Sequence, residues 1–233
     1  MSVERARRLR RDRDDPVGEM LGSDDRDSPA RSPAGYGAAH APRSSSSVLS
    51  TLDALDHATA AFARSLAIVP IDGWSMPTPC DEWDVHYLAA HVVGGNRFAE
   101  QILGGASARA AIEHIMSAAQ LGNDPVAAFA TTCDVQRRAF RATGALTGPV
   151  DHPLGTMNGL RFLDFRVFDI ALHAWDLAAA IDADSTLDPE LVDVVSAIVS
   201  SGDLGFGITP LGAVGNDASP LARLLDLTGR REH

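Results

Sequence analysis

Residues 160–180 read LRFLDFRVFDIALHAWDLAAA. Apolar side chains recur there at three- and four-residue spacing in two stripes, Leu163, Val167, Ile170, Ala174 and Leu177 on one and Phe165, Phe168, Leu172 and Trp175 on the other. That period is helical. Between them runs a polar stripe, Arg166, Asp169, His173 and Asp176. Periodicity leaves two readings of it: a solvent face carrying an Arg166–Asp169 ion pair, or a chemically active seam turned inward. The stripe opposite it (Asp164, Ala171, Ala178) holds only small or charged residues, whereas a buried face is normally centred on large ones.

Helical signals continue on either side. Leu52, Leu55, Ala58, Phe62 and Leu66 form one amphipathic face, which Pro70 ends. Asp84 is a suitable N-cap for a helix over Val85–Leu103, stopped by Gly104-Gly105. A shorter helix covers about 108–120. Asp124-Pro125 opens another to about Arg141, with proline at the first helical position. Residues 144–159, with four Gly and two Pro, read as a loop or short hairpin. Asp188-Pro189 opens a helix to about Ser200, residues 202–220 are irregular, and Leu221–Leu227 forms a short terminal helix closed by Gly229. There is no convincing strand alternation and no internal repeat. The fold class is all-α: a bundle of four principal helices over residues 48–231, with a short irregular C-terminal extension.

Residues 1–47 are rich in Arg, Asp, Ser, Pro and Gly and nearly devoid of large apolar residues, so they read as a disordered tail. Net charge over the 233 residues is −11, and all the basic residues are Arg. The tail has nine Arg and eight acids, so the body holds the acidic excess. Such a body repels phosphate backbones, which argues against nucleic-acid binding. No stretch approaches the roughly 20 apolar residues of a membrane span. The Arg-rich start lacks the apolar core of a secretory signal, and Cys80 and Cys133 form no disulfide framework. The expectation is a cytoplasmic protein with free thiols.

Chemistry concentrates on two helices. His91 shares a face with Leu88, Gly95, Phe98 and Ile102, so it points into the bundle, either as a hydrogen-bonded core histidine or as a ligand. Asp169 and His173 stand one helical turn apart and can converge on one ion. With His91 they would make three N/O donors, a set suited to Zn²⁺, Ni²⁺ or Fe²⁺ with coordination positions left open. Asp176 is a further ligand or an acceptor for the other nitrogen of His173. Trp83 and Trp175 read as core aromatics, Tyr87 as a buried hydrogen-bonding residue, Arg97 and Arg166 as surface ion-pair partners, and Cys80 as a small hydrophobe. His57 reads as surface, and His40, His86, His114, His152 and His233 show no partner pattern.

Two segments carry a resemblance. Thr78-Pro79-Cys80-Asp81-Glu82-Trp83-Asp84-Val85 leading to Leu88-Ala89-Ala90-His91, and Arg166 through Ala178, resemble the metal-binding domain of the mycothiol-dependent maleylpyruvate isomerase family, of the DinB-like superfamily. The ending Pro220 to Arg230 resembles the tail of one actinobacterial-type subfamily. The resemblance spans about residues 48–231. It implies a DinB-like four-helix bundle with a divalent metal, usually zinc, held by His91, Asp169 and His173. It also implies use of mycothiol or a related small thiol, activated by the metal toward an electrophilic substrate. The isomerase carries Glu where this chain has Asp169, and it has a further C-terminal domain of a size that the residues after Ser200 do not match, so maleylpyruvate isomerisation itself is not carried over.

The expected function is thus a thiol-dependent transferase or isomerase. The alternatives are a hydrolase using metal-bound water and a non-catalytic bundle braced by its metal. A homodimer is compatible with this reading. If residues 1–47 are a disordered arm, their removal leaves the thermal unfolding midpoint and metal content unchanged; a lower midpoint, followed by circular dichroism, refutes it.

Overall fold

A computed structural model describes residues 49–231 apart from 117–119, 203–207 and 216. The segment read as a disordered tail lies outside the described residues. Seven α-helices are described: α1 (Thr51–Leu66), α2 (Val85–Leu103), α3 (Ala108–Met116), α4 (Pro125–Arg141), α5 (Gly159–Ala180), α6 (Pro189–Ser200) and α7 (Pro220–Leu227). A two-residue hairpin, β1 (Pro149–Val150) and β2 (Met157–Asn158), fills the stretch expected to be a loop or hairpin. The expected N-caps are present: Asp84 accepts from Tyr87 N, Asp124 from Ala127 N and Asp188 from Glu190 N. Each satisfies an amide that the helix itself leaves unpaired.

Helices α1, α2, α4 and α5 form the bundle. α1 lies along α5 and also touches α4, while α2 lies along α4 and also touches α5. Aromatic contacts tie the ring together. Phe62 of α1 meets Phe129 of α4 at 4.9 Å between centroids. Phe162 of α5 meets Phe98 of α2 at 6.1 Å and Phe140 of α4 at 5.4 Å. Asp56 of α1 receives both Arg137 and Arg141 of α4, at 2.8 Å each. α3 packs on α2, α6 packs on α5 and α1, and α7 packs on α6.

The position of α5 resolves the sequence ambiguity. It is buried on almost every side from Phe162 to Ala178, including both apolar stripes, Arg166, His173 and Asp176. The solvent-face reading of the polar stripe is therefore overturned. The stripe opposite, Asp164, Ala171 and Ala178, is buried as well, its small side chains allowing close packing. Among the described residues no helix is long and apolar enough to cross a membrane.

His152, for which the sequence showed no partner pattern, is packed against Phe98, Phe162 and Phe165. Burial, reinforced by the positive charge of Arg166, pushes its imidazole down to about 4. Its Nδ1 accepts from Leu154 N at 3.2 Å, a bond available only to the unprotonated nitrogen. Unfolding restores the ordinary value of 6.5, so the unfolded chain binds the extra proton between those limits. This contribution to stability is complete above pH 6.5 and is lost as pH falls toward about 4. The variant His152→Phe keeps the packing and lacks that titration. Its urea midpoint is expected to depend less on pH over this window than that of the wild type.

Candidate metal centre

The site is built from one residue of α2, a seam of α5, a tight loop before α2 and the chain after α7. The loop is a small hairpin: Thr78 N donates to Trp83 O at 3.0 Å, Val85 N to Met76 O at 3.0 Å and Trp83 N to Cys80 O at 3.1 Å. Thr78 Oγ1 fastens it further, donating to Trp83 O and accepting from Cys80 N. The turn closes through Glu82 at φ 66°, a left-handed conformation costly for a non-glycine residue. The result sets Trp83 over both histidines, 4.8 Å from the His91 ring and stacked on His173 at 5.5 Å. Trp83 is thus a wall of the site and not merely a core aromatic, whereas Trp175 lies in the core as expected. Tyr87 packs its ring on Trp83 at 4.7 Å.

Three donors converge beneath Trp83. His91 Nε2 lies 3.1 Å from Asp169 Oδ1, and His173 Nε2 lies 3.4 Å from the same oxygen. One donor atom of each residue falls within 4.8 Å of the other two. Tetrahedral zinc with ligand bonds of about 2.0–2.2 Å separates its donors by roughly 3.3–3.6 Å, and the two separations to Asp169, 3.1 and 3.4 Å, lie close to that. Asp169 is the most accessible of the three, with 24% of its side chain exposed, so it marks the approach from solvent.

Asp169 and His173 are held by further polar contacts. The second oxygen of Asp169 accepts from Arg166 Nη1 at 2.6 Å. Arg166 is 4% exposed, which corrects its reading as a surface ion-pair residue. Its guanidinium also donates to Gln136 Oε1 at 2.9 Å, Asn96 Oδ1 at 2.9 Å and Val92 O at 3.4 Å. Arg97 is half-buried and donates to Gln120 Oε1 at 2.7 Å. On the other side, His173 Nδ1 meets Asp176 Oδ2 at 2.9 Å. Asp176 in turn accepts from Arg230 Nε at 2.8 Å and Nη2 at 2.7 Å, and from Cys80 Sγ at 3.3 Å.

Cys80, His173 and Asp176 form a second group with ligand-like spacing. The guanidinium of Arg230 already occupies both oxygens of Asp176, and a cation there would be repelled by it. This group therefore supports the first. Cys80 is a member of that polar cluster, contrary to its reading as a small hydrophobe, and burial pushes its thiol pKa up.

The charges are coupled. Burial disfavours ionisation of Asp169, but His91, Arg166 and His173 outweigh it and hold its carboxyl well below the usual range. Burial likewise opposes a charged His173, yet Asp169 and Asp176 hold its imidazole well above the ordinary value. Asp176, also penalised by burial, is drawn down to about 2 by His173 and Arg230. Two carboxylates facing one imidazole form an environment that a cation completes, whether a proton or a metal ion.

The structure brings together His91, Asp169, His173 and Asp176, which the sequence singled out, along with residues it did not. Gln136 could have been found, since it shares the largely apolar buried face of Phe129, Thr132, Cys133 and Phe140 on α4. Arg230 stood in a quoted segment, but nothing local said where it would point.

Gly95 makes room for Arg166. A Cβ there would lie 2.3 Å from Nη1, and the guanidinium, fixed at four partners, cannot swing aside freely. The corresponding contact at Gly94 is a milder 3.3 Å, to Ile115. Gly95→Ala is expected to cost about 1–3 kcal/mol in urea unfolding, as overpacking typically does, and Gly94→Ala less.

The family model of the mycothiol maleylpyruvate isomerase N-terminal domain matches residues 55–178. Uncharacterized proteins from two strains of Mycobacterium tuberculosis are each 41% identical to this chain over 131 residues, 56% of this chain and 67% of theirs. A crystal structure of a mutant mycothiol-dependent maleylpyruvate isomerase superposes with a TM-score of 0.52 at 16% identity, covering 64% of this chain and 68% of that one, so what it shares is the fold. The matched segment contains His91, Asp169, His173 and Asp176 and stops well before Arg230. The chain belongs to the mycothiol maleylpyruvate isomerase N-terminal domain family.

Proposed function

We propose that this protein binds a divalent ion, zinc by preference, through His91, Asp169 and His173, and uses it to activate a small thiol of the mycothiol class for transfer to, or isomerisation of, an electrophilic substrate. The observation that carries this reading is the convergence of three donors on one point beneath Trp83, in a family named for a mycothiol-dependent enzyme. When bound, the ion supplies positive charge that eases ionisation of a thiol beside it. The protein's own residues do the rest. Arg166 holds one oxygen of Asp169 and leaves the other turned to the histidines. Trp83 covers the imidazoles and limits water on that side, and the partly exposed flank of Asp169 is the approach for the thiol. Nickel and iron fit the same donor types. A cytoplasmic location suits the reduced state of Cys80 and Cys133, both free thiols.

Elemental mass spectrometry of the purified full chain is expected to give about one zinc per chain. His91→Ala, Asp169→Ala and His173→Ala should each lose it while keeping helical circular dichroism. Calorimetry with mycothiol should then show binding that requires the metal. A wild-type chain that takes up no divalent ion even after reconstitution refutes the metal site. Metal without thiol binding refutes the thiol-dependent reading.

A further inference from the structure

We infer that Arg230, on the chain segment after α7, is a positioning residue for the metal centre: through Asp176 it fixes His173 as the Nδ1–H tautomer and so presents Nε2 to the ion. This rests on the proposed metal site but adds a residue outside the family-matched segment.

The placement of Arg230 is built, not incidental. α7 docks through buried Leu224 and Leu225. It ends in a Schellman arrangement, with Arg230 N donating to Leu225 O at 2.8 Å and Gly229 N to Asp226 O at 3.3 Å. That turn requires a left-handed residue, and Gly229 supplies it at φ 79°. The chain reverses there, Arg230 Nη1 fastens to Thr228 O at 3.0 Å, and the rest of the guanidinium faces Asp176. Nε and Nη2 then meet the two carboxylate oxygens in a fork, the geometry that a planar guanidinium offers and an ammonium does not.

Asp176 is fully buried, and protein groups surround its carboxylate. Its carboxylate accepts only, so the nitrogen of His173 that faces it at 2.9 Å must be the donor. Cys80 Sγ shares that oxygen at 3.3 Å. With Nδ1 protonated, the lone pair of the neutral imidazole is on Nε2, beside Asp169 Oδ1 and His91. Carboxylates behind metal-bound histidines commonly set orientation and basicity in this way. Here the carboxylate is itself held by an arginine 54 residues away in sequence.

Zinc affinity of the full chain, measured by competition with a chromophoric chelator, tests this. Arg230→Met, which keeps the aliphatic stem, is expected to weaken binding about 10–100-fold, the usual cost of losing such support. Arg230→Lys should restore part of it. Asp226→Asn serves as control, because Asp226 holds Gly212 N and Ala213 N and does not touch Asp176; it should leave affinity unchanged. Wild-type affinity in Arg230→Met, or an equal loss in Asp226→Asn, overturns the inference. A second measurement needs no metal. Nitrogen-15 NMR of the metal-free wild type, at alkaline pH where the imidazole is neutral, should show His173 protonated at Nδ1, and the Nε2–H form overturns the inference. A chain that binds no zinc yet shows the Nδ1–H form refutes the metal reading and leaves the clamp standing.

Discussion

Two carboxylates on one buried helix set the terms for this structure. Asp169 and Asp176 sit on α5, which is enclosed by the bundle, and an ionised carboxylate carried out of water costs several kcal/mol unless it is paired. Each is met by an arginine: Asp169 by Arg166 from its own helix and Asp176 by Arg230 from the far end of the chain. His173 lies between them, its two nitrogens 3.4 Å from Asp169 and 2.9 Å from Asp176. The result is an alternating row of charge across the core, and much of the surrounding sequence serves it. Gly95 leaves space for Arg166, while Asn96, Gln136 and the Val92 carbonyl accept its other hydrogen bonds. Gly229 turns Arg230 inward.

That row also explains how a bundle core can be polar without losing order. Arg166 is satisfied by side chains or backbone from three helices, α2, α4 and α5, so the same contacts that neutralise it register those helices against one another. Asn96 extends the network by donating to Thr132 and Cys133 of α4. Phe162 adds aromatic contacts from α5 to Phe98 of α2 and Phe140 of α4. Apolar packing holds the helices together, and the polar network restricts how they slide.

The chain shares a family and a fold with the mycothiol-dependent isomerase, and its candidate centre joins a loop inside the matched segment to Arg230 beyond it. Trp83 and Cys80 arrive from a strained hairpin loop that precedes α2. Arg230 arrives from an arm that packs through α7 and α6. Two separate stretches therefore meet at His173 of α5, whose two nitrogens face different tasks: Nε2 toward the donor set and Nδ1 toward the supporting carboxylate.

The sequence by itself determined the helices and brought forward His91, Asp169, His173 and Asp176 as candidates. Caps, prolines and apolar periodicity act within a turn or two, so Asp84, Asp124 and Asp188 could be assigned from their neighbours alone, whereas helical spacing put Asp169, His173 and Asp176 on one face and left open what that face meets. Only the tertiary structure decided that the polar face of α5 is internal. A helix packed on all sides has little amphipathic contrast, and whether a charged stripe meets solvent or a complementary stripe depends on what the other helices bring to it. The partners of those charges lie far away in sequence, Asn96 and Arg166 separated by 70 positions and Asp176 and Arg230 by 54. No local pattern records such a pairing, because it exists only once packing has excluded the water that would otherwise solvate both charges.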